Sequence, residues 1–242
     1  MTAARPLTIV VDIEGTTSST GFVEATLYPY SAERFPDELR DHAEDPEVRE
    51  ACAQVRELAG EPTAGPDRIV EILRSWIAED RKATPLKTLQ GRLWARGFAA
   101  GELCSHFYPD VIGTLRRWHG AGHRLVIFSS GSVQAQRTWF GHSPEGDLLP
   151  LFDAHFDTVN GGPKRVRESY VHIAEVLGEQ PGSVVFLSDL VDELDAARDA
   201  GWHTVGVRRD GEPHFTRGVG THLEIGSFDQ VDLSGPGPAL RD

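Results

Sequence analysis

Several things are scarce in this chain of 242 residues, and each scarcity excludes something. Two cysteines, Cys52 and Cys104, cannot build a disulfide framework and suit a reducing compartment. No apolar run approaches the length of about 18 residues that a membrane span needs. No charged-then-apolar leader precedes the first strand pattern, so a soluble, cytoplasmic protein with no membrane partner is expected. Basic residues are outnumbered, 24 Lys and Arg against 37 Asp and Glu, for a net charge of −13. That balance disfavours nucleic acid and anionic surfaces, and it requires a local cation wherever a phosphate is bound. The ten histidines form no ligand-spaced cluster. What remains is ordinary globular material, 39% hydrophobic and 25% charged. It suffices for one large domain or for a domain carrying a sizeable insertion.

The stretch Leu7 to Thr17 organises the rest. Ile9, Val10 and Val11 read as a strand covered on both faces. It runs into Asp12 and Glu14, then Gly15, Thr16 and Thr17. An acidic pair at the carboxyl end of a buried parallel strand lies where open α/β sheets bind ligands, although a strand-end aspartate also serves as a turn cap. From Phe22 to about Cys104 no strand pattern occurs. Val48, Ala51, Cys52, Val55 and Leu58 recur at helical spacing. So do Ile69, Ile72, Leu73, Trp76 and Ile77 after Pro66, and Leu86, Leu89, Leu93 and Trp94 after Pro85, with Gly97 as the expected stop.

From Phe107 strands and helices alternate. Asp110 is placed to cap a helix, and strands are expected at Leu125 to Phe128, Phe156 to Val159, Val184 to Leu187 and Thr204 to Val207. Alternation of this kind implies a doubly wound parallel α/β sheet, into which an all-helical cap domain is inserted after the first strand. The expected boundaries are a core of 1–21 with 105–232, a cap of 22–104, and an unstructured Gly-Pro-rich tail of 233–242. The insertion makes the cap a natural lid over the strand ends.

Four strand ends bring polar groups to one edge: Asp12 with Glu14, Ser129 with Ser130, Lys164 after Gly-Gly-Pro, and Asp189. Asp12 and Asp189 are hard oxygen donors suited to Mg²⁺, which uses only one or two carboxylates and leaves room for phosphate oxygens. Ser129 and amides at a helix start can hold a phosphate, and Lys164 is the local cation. A carboxylate can also act as a nucleophile that forms an aspartyl-phosphate. Each piece alone is more often structural; their occurrence together, in order, is what carries the reading.

These residues resemble the haloacid dehalogenase superfamily of phosphatases. Glu14 stands where most members have a second Asp, and Asp12-Ile13-Glu14-Gly15-Thr16-Thr17 is similar to the enolase-phosphatase (acireductone synthase) family of methionine salvage. The similarity continues through Phe22-Val23, Tyr28-Pro29-Tyr30, Asp80 to Gly91, Ser129 to Gln136, Phe140 to Ser143, His155 to Thr158 and Phe186 to Asp189. The resemblance implies Asp12 as nucleophile and metal ligand, Glu14 as acid/base and metal ligand, and Asp189 as a further ligand. It implies Ser129, Ser130 and Lys164 as substrate-binding residues, with one Mg²⁺ per subunit. The implied reaction converts 2,3-diketo-5-methylthiopentyl-1-phosphate to an acireductone by enolisation and then dephosphorylation. A monomer is expected. Which residue is the enolisation base stays open, with Glu14 the choice made here.

Ser18-Ser19-Thr20-Gly21 departs from the family's usual Thr-Pro, and Arg208-Arg209-Asp210-Gly211-Glu212 from its Arg-Pro-Gly, so no role is carried over to the latter loop. Glu193 reads equally as a support of the metal shell and as a solvated helix acid. Lys87 and Gln90 read equally as cap contacts and as solvated helix residues. Two other readings compete: a related phosphatase acting on another small phosphate ester, and a receiver or binding module that accepts phosphate without turnover.

Overall fold

The structure, a computed structural model, describes residues 6–79, 81, 83–235 and 237–241. Asp80 and Lys82 of the quoted similarity, and Pro236 and Asp242 of the tail, lie outside the described residues. The chain divides into two compact units: one runs through Thr20 and resumes at Cys104, and the other is Gly21–Leu103.

Strand β1 (Thr8–Val11) is buried at every position. Its three β-branched apolar side chains each contribute on the order of 1.5–3 kcal/mol by leaving water. After a short α1 (Thr20–Phe22) and a π-helical segment, Val23–Leu27, the second unit is built from α2 (Tyr28–Asp41), α3 (Pro46–Ala59), α4 (Pro66–Ala78) and α5 (Thr84–Ala99). Among its described residues there is no strand. Phe35, Val55, Ile69, Leu73 and Leu89 form the centre of its core.

Two expectations here need correction. Leu58, placed on the apolar stripe of α3, is 48% exposed, because Val48, Ala51 and Val55 already fill the buried face. Gly97 does not stop α5. The helix runs on to Ala99, and Gly97 is instead a point of close approach, where a Cβ would lie 2.5 Å from the Tyr30 hydroxyl oxygen. The buried Glu38 carboxylate of α2 accepts from Arg92 Nε at 3.0 Å and pairs with Arg96, which compensates a charge that burial alone would make costly.

The α/β unit continues with α6 (Val111–Gly120), β2 (Arg124–Phe128), α7 (Val133–Gly141), β3 (Phe152–Phe156), α8 (Arg167–Leu177), β4 (Val184–Ser188), α9 (Val191–Asp199), β5 (His203–Val207) and β6 (Leu223–Ile225). These six strands form one parallel sheet in the order β3-β2-β1-β4-β5-β6, the doubly wound α/β class expected, with β1 between β2 and β4. Val10, Val126, Phe128, Phe186, Tyr170, Leu194 and Trp202 pack in one continuous core.

The third strand starts four residues before the expected Phe156 to Val159 and ends at Phe156. Asp157 ends it, because its carboxylate accepts from the N–H groups of Val159 and Asn160 at 2.8 and 3.1 Å and turns the chain. Asp110 makes no cap bond to α6 and pairs elsewhere. In the tail, expected to be unstructured, β8 (Ala239–Leu240) pairs antiparallel with β7 (Val231–Asp232). The backbone groups of this short ladder are satisfied by one another despite the Gly-Pro content between them.

Candidate active site

Register decides what meets at the carboxyl edge of the sheet. Val11 lies opposite Ile127 of β2 and Leu187 of β4, so the residues just beyond these positions emerge together. Asp12 N–H donates to Leu187 O at 3.0 Å, which continues the ladder one step and holds the backbone of Asp12 to β4. The turn that follows is tight. The amides of Thr16, Thr17 and Ser18 all converge on Ile13 O at 3.2, 3.0 and 2.9 Å, and the Thr17 hydroxyl donates to Asp12 O at 3.0 Å. Gly15 takes φ +71°, and a Cβ there would run into the Asp189 carboxylate, so the first and fourth strand ends are packed backbone against side chain.

Lys164 is 6% exposed, and its ammonium lies 2.7 Å from Asp12 Oδ1 and 2.7 Å from Glu193 Oε2. The Phe128 and Phe186 rings flank it at 5.7 and 5.9 Å, and the Tyr170 hydroxyl fixes its backbone by donating to Lys164 O at 2.7 Å. Burial alone would push the Lys164 ammonium down, but the Asp12 and Glu193 carboxylates outweigh it and hold it above the ordinary lysine value. Glu193, in the first turn of α9, also accepts from the Ser188 hydroxyl at 3.0 Å. Burial pushes its carboxyl up to about 7, against the pull of Lys164. Asp189 is pushed up to about 8, first by burial and then by the charges of Asp12 and Glu193. Asp12 and Glu193 thus share one ammonium with the buried Asp189 carboxyl beside them, an excess of acidic groups that a divalent cation would offset.

The neighbouring strand ends are shaped differently. Ser129 is buried at the end of β2, its amide donating to Phe156 O at 3.1 Å and its hydroxyl accepting from Gly131 N at 3.4 Å. Ser132 caps α7 by accepting from Ala135 N. Asp157 Oδ2 takes the Val133 N–H at 2.9 Å, which anchors the start of α7 to the end of β3. Glu14 and Ser130 are exposed, with the Glu14 backbone bridged to Ser18. Of the residues expected from sequence, Asp12, Lys164 and Asp189 therefore come together in the interior, joined by Glu193, while Ser129 is buried at the next strand end. In the helical unit Lys87 is exposed and Gln90 is buried, so Gln90 is not a solvated helix residue.

A hard divalent cation fits this donor chemistry. Among the described residues no group of three or more His, Cys, Asp or Glu side chains is arranged to hold a metal ion. A site of two carboxylates completed by a backbone carbonyl, water and phosphate oxygens is nevertheless what Mg²⁺ ordinarily accepts.

Comparison with known proteins gives this arrangement its class. Residues 7–201 match the family of haloacid dehalogenase-like hydrolases. Hydrolases of this class generally depend on Mg²⁺. The chain is 58% identical to the enolase-phosphatase E1 of Streptomyces avermitilis over 226 residues, covering 93% of this chain and 95% of that one. It is 50% identical to the enolase-phosphatase E1 of Pseudomonas fluorescens, covering 91% and 98%. Among solved structures, the Unknown transcript 4 protein of Saccharomyces cerevisiae superposes with a TM-score of 0.79 at 30% identity, covering 93% of this chain and 99% of that one. The L-2-haloacid dehalogenase of Xanthobacter autotrophicus, at 16% identity and a TM-score of 0.53 over 93% and 96%, shares the fold. With relatives so similar over nearly their whole length, the chain belongs to the enolase-phosphatase family of the haloacid dehalogenase-like hydrolases. No helix among the described residues is long and apolar enough to cross a membrane.

Proposed function

We propose that the chain converts 2,3-diketo-5-methylthiopentyl-1-phosphate to an acireductone and phosphate, with Asp12 as the nucleophile. The observation that carries this reading is the buried Asp12 carboxylate, 2.7 Å from the Lys164 ammonium and beside Asp189, in a chain 58% identical to an enolase-phosphatase. Asp12 and Asp189 would hold one Mg²⁺, and Glu14 is proposed as a third contributor. When bound, the ion polarises the substrate carbonyl and neutralises phosphate oxygens.

Glu14, exposed on the turn after Asp12, takes the proton from the carbon between the carbonyl and the phosphate ester and returns it to the carbonyl oxygen, so that an ene-diol phosphate results. Asp12 then attacks phosphorus. The ester oxygen leaves with the acireductone, and the aspartyl-phosphate is hydrolysed by water. Lys164 is already charged and desolvated, so it offsets the phosphoryl oxygens without reorganising. Ser129 and Ser130 complete the phosphate cradle. Glu193 holds Lys164 from its other side, so the ammonium stays in place while Asp12 changes partners.

The test is purified protein with Mg²⁺ and the diketo phosphate, followed for phosphate and for the ultraviolet absorbance of the ene-diol. Both are expected. Phosphate without the chromophore would reduce the activity to a plain phosphatase. Asp12→Asn is expected to abolish phosphate release and covalent labelling; retained turnover would remove Asp12 from the role.

A further inference from the structure

The loop after β5 takes no part in the cluster just described, yet it is tied to the nucleophile turn by a dense set of bonds. Arg209 is 5% exposed. Its guanidinium pairs with both oxygens of Asp110, Nη1–Oδ1 at 2.9 Å and Nη2–Oδ2 at 3.0 Å, and Nη1 also donates to Gly226 O at 2.9 Å. The Tyr108 ring lies 4.4 Å and the Phe228 ring 5.2 Å from its central carbon. Asp110 Oδ2 accepts from Phe228 N–H as well, at 2.6 Å, so the Asp110–Arg209 pair is locked into its surroundings. A cation engaged in this way is not held in reserve for an anion. Its remaining bond is the informative one: Nε donates to Thr16 O at 3.1 Å, inside the turn that follows Asp12.

Glu212, three residues on, acts on the other end of the same turn. Both of its oxygens accept from Thr20 N–H at 3.2 Å, and Oε1 accepts from the Tyr108 hydroxyl at 2.6 Å. Tyr108 N–H in turn donates to Thr17 O at 3.1 Å. Burial raises the Glu212 carboxyl, but bonds from Tyr108, Ser19 and Thr20 more than offset it and leave it below the ordinary range. The polar run Ser18-Ser19-Thr20 thus meets an acceptor supplied by the Arg208–Glu212 loop, the two segments that depart from the family's usual text.

We propose that Arg209 and Glu212 are positioning residues for the phosphoryl-transfer step: they clamp the Asp12–Thr20 segment at Thr16 and Thr20 and so aim the Asp12 carboxylate. This rests on Asp12 being the nucleophile. Asp12 sits one residue past β1, and its amide makes the last bond to β4; beyond it the segment to Thr20 is tied outward by Arg209, Glu212, the Tyr108 amide and, at Ser18 and Ser19, the His106 ring. Lysine cannot substitute for Arg209, because one ammonium cannot span Asp110 and the Thr16 carbonyl while filling the slot between two rings.

The test measures steady-state phosphate release from the diketo phosphate by the full chain with Mg²⁺, alongside thermal unfolding of each variant. Arg209→Lys is expected to lower kcat by about tenfold to on the order of 10²-fold with KM nearly unchanged, at temperatures where the variant is fully folded. Glu212→Gln, which keeps the shape of the side chain, is expected to shift kcat the same way by less, and it carries the test alone if Arg209→Lys does not fold. His222→Asn is the control. It breaks the bridge from Thr204 to Asp195 near the β6 edge of the sheet and is expected to lower the melting temperature without lowering kcat. Wild-type kcat in Arg209→Lys and Glu212→Gln overturns the proposal, as does a loss that only follows the folded fraction. Turnover by Asp12→Asn would instead overturn the nucleophile assignment, so the two failures are distinguishable.

Discussion

Glu193 reaches from the first turn of α9 to Lys164, Oε2 to Nζ at 2.7 Å, and the two side chains are buried together. Asp12 takes the other side of the same ammonium. The site therefore carries more negative charge than it neutralises, and function is favoured over stability. Replacing Glu193 by Gln removes one like charge from beside Asp12 and Asp189 but loosens Lys164. Activity is expected to fall by about 10- to 100-fold, the usual effect of disturbing a support of this kind. The melting temperature of the metal-free protein should hold or rise. A clear fall in melting temperature would mean that Glu193 stabilises the fold rather than the transition state.

Divalent cation should relieve the same crowding of acidic groups in the wild type. A ligand that binds only the folded state raises its stability by about 2.7 kcal/mol at a hundred times its dissociation constant. With Mg²⁺ the wild-type protein is expected to melt higher, and EDTA should reverse the shift. Asp189→Asn should remove most of the Mg²⁺ response, because it takes away one of the two carboxylates proposed as ligands. An equal response in wild type and variant would place the cation elsewhere.

How far the site could be read from the residues depends on the range of the interactions. Ile9-Val10-Val11 announces β1 because burial on both faces demands an unbroken apolar run, and Asp12 and Asp189 follow from the ends of such runs. Glu193 could not be separated from a solvated helix acid, since an acidic residue in a first helical turn looks the same in either case. Strand β6, Leu223–Ile225, is too short to show a period. Arg209 and Glu212 find their partners 99 and 192 residues away, at Asp110 and Thr20, and no local pattern encodes such a pairing. Asp157 did leave a local sign, an Asp with Asn160 three residues on. It belongs to turn chemistry, and a strand expected over Phe156 to Val159 runs straight through it.

Gly15 should tolerate no side chain. Its φ of +71° costs an alanine roughly 1–2 kcal/mol on backbone grounds. The added Cβ would also press into the Asp189 carboxylate, which is held beneath it. Gly15→Ala is expected to destabilise the protein by more than the backbone cost alone, measured by urea unfolding, and to reduce activity to near background. Near-normal kcat would show that the contact between Gly15 and Asp189 is not part of the working geometry.

Asp157 offers a test of stability against pH that is independent of the catalytic cluster. Burial tends to raise its carboxyl, but the N–H groups of Val133, Val159 and Asn160 outweigh burial and hold it below the ordinary aspartate range. A carboxyl lowered on folding contributes stability above its unfolded value of about 3.9, and that contribution drains away as the pH falls through the lower folded value. In Asp157→Asn the amide oxygen can keep the bonds to Val159 and Asn160, but the carboxylate oxygen that accepts from Val133 is lost, leaving the start of α7 without its anchor. The variant is expected to be less stable than wild type by about 1–2 kcal/mol at neutral pH, with the gap closing progressively below about pH 4. Urea unfolding of both proteins at neutral and acid pH measures it. A gap that stays constant with pH would mean that packing, and not the charge on Asp157, holds the ends of β3 and α7 together.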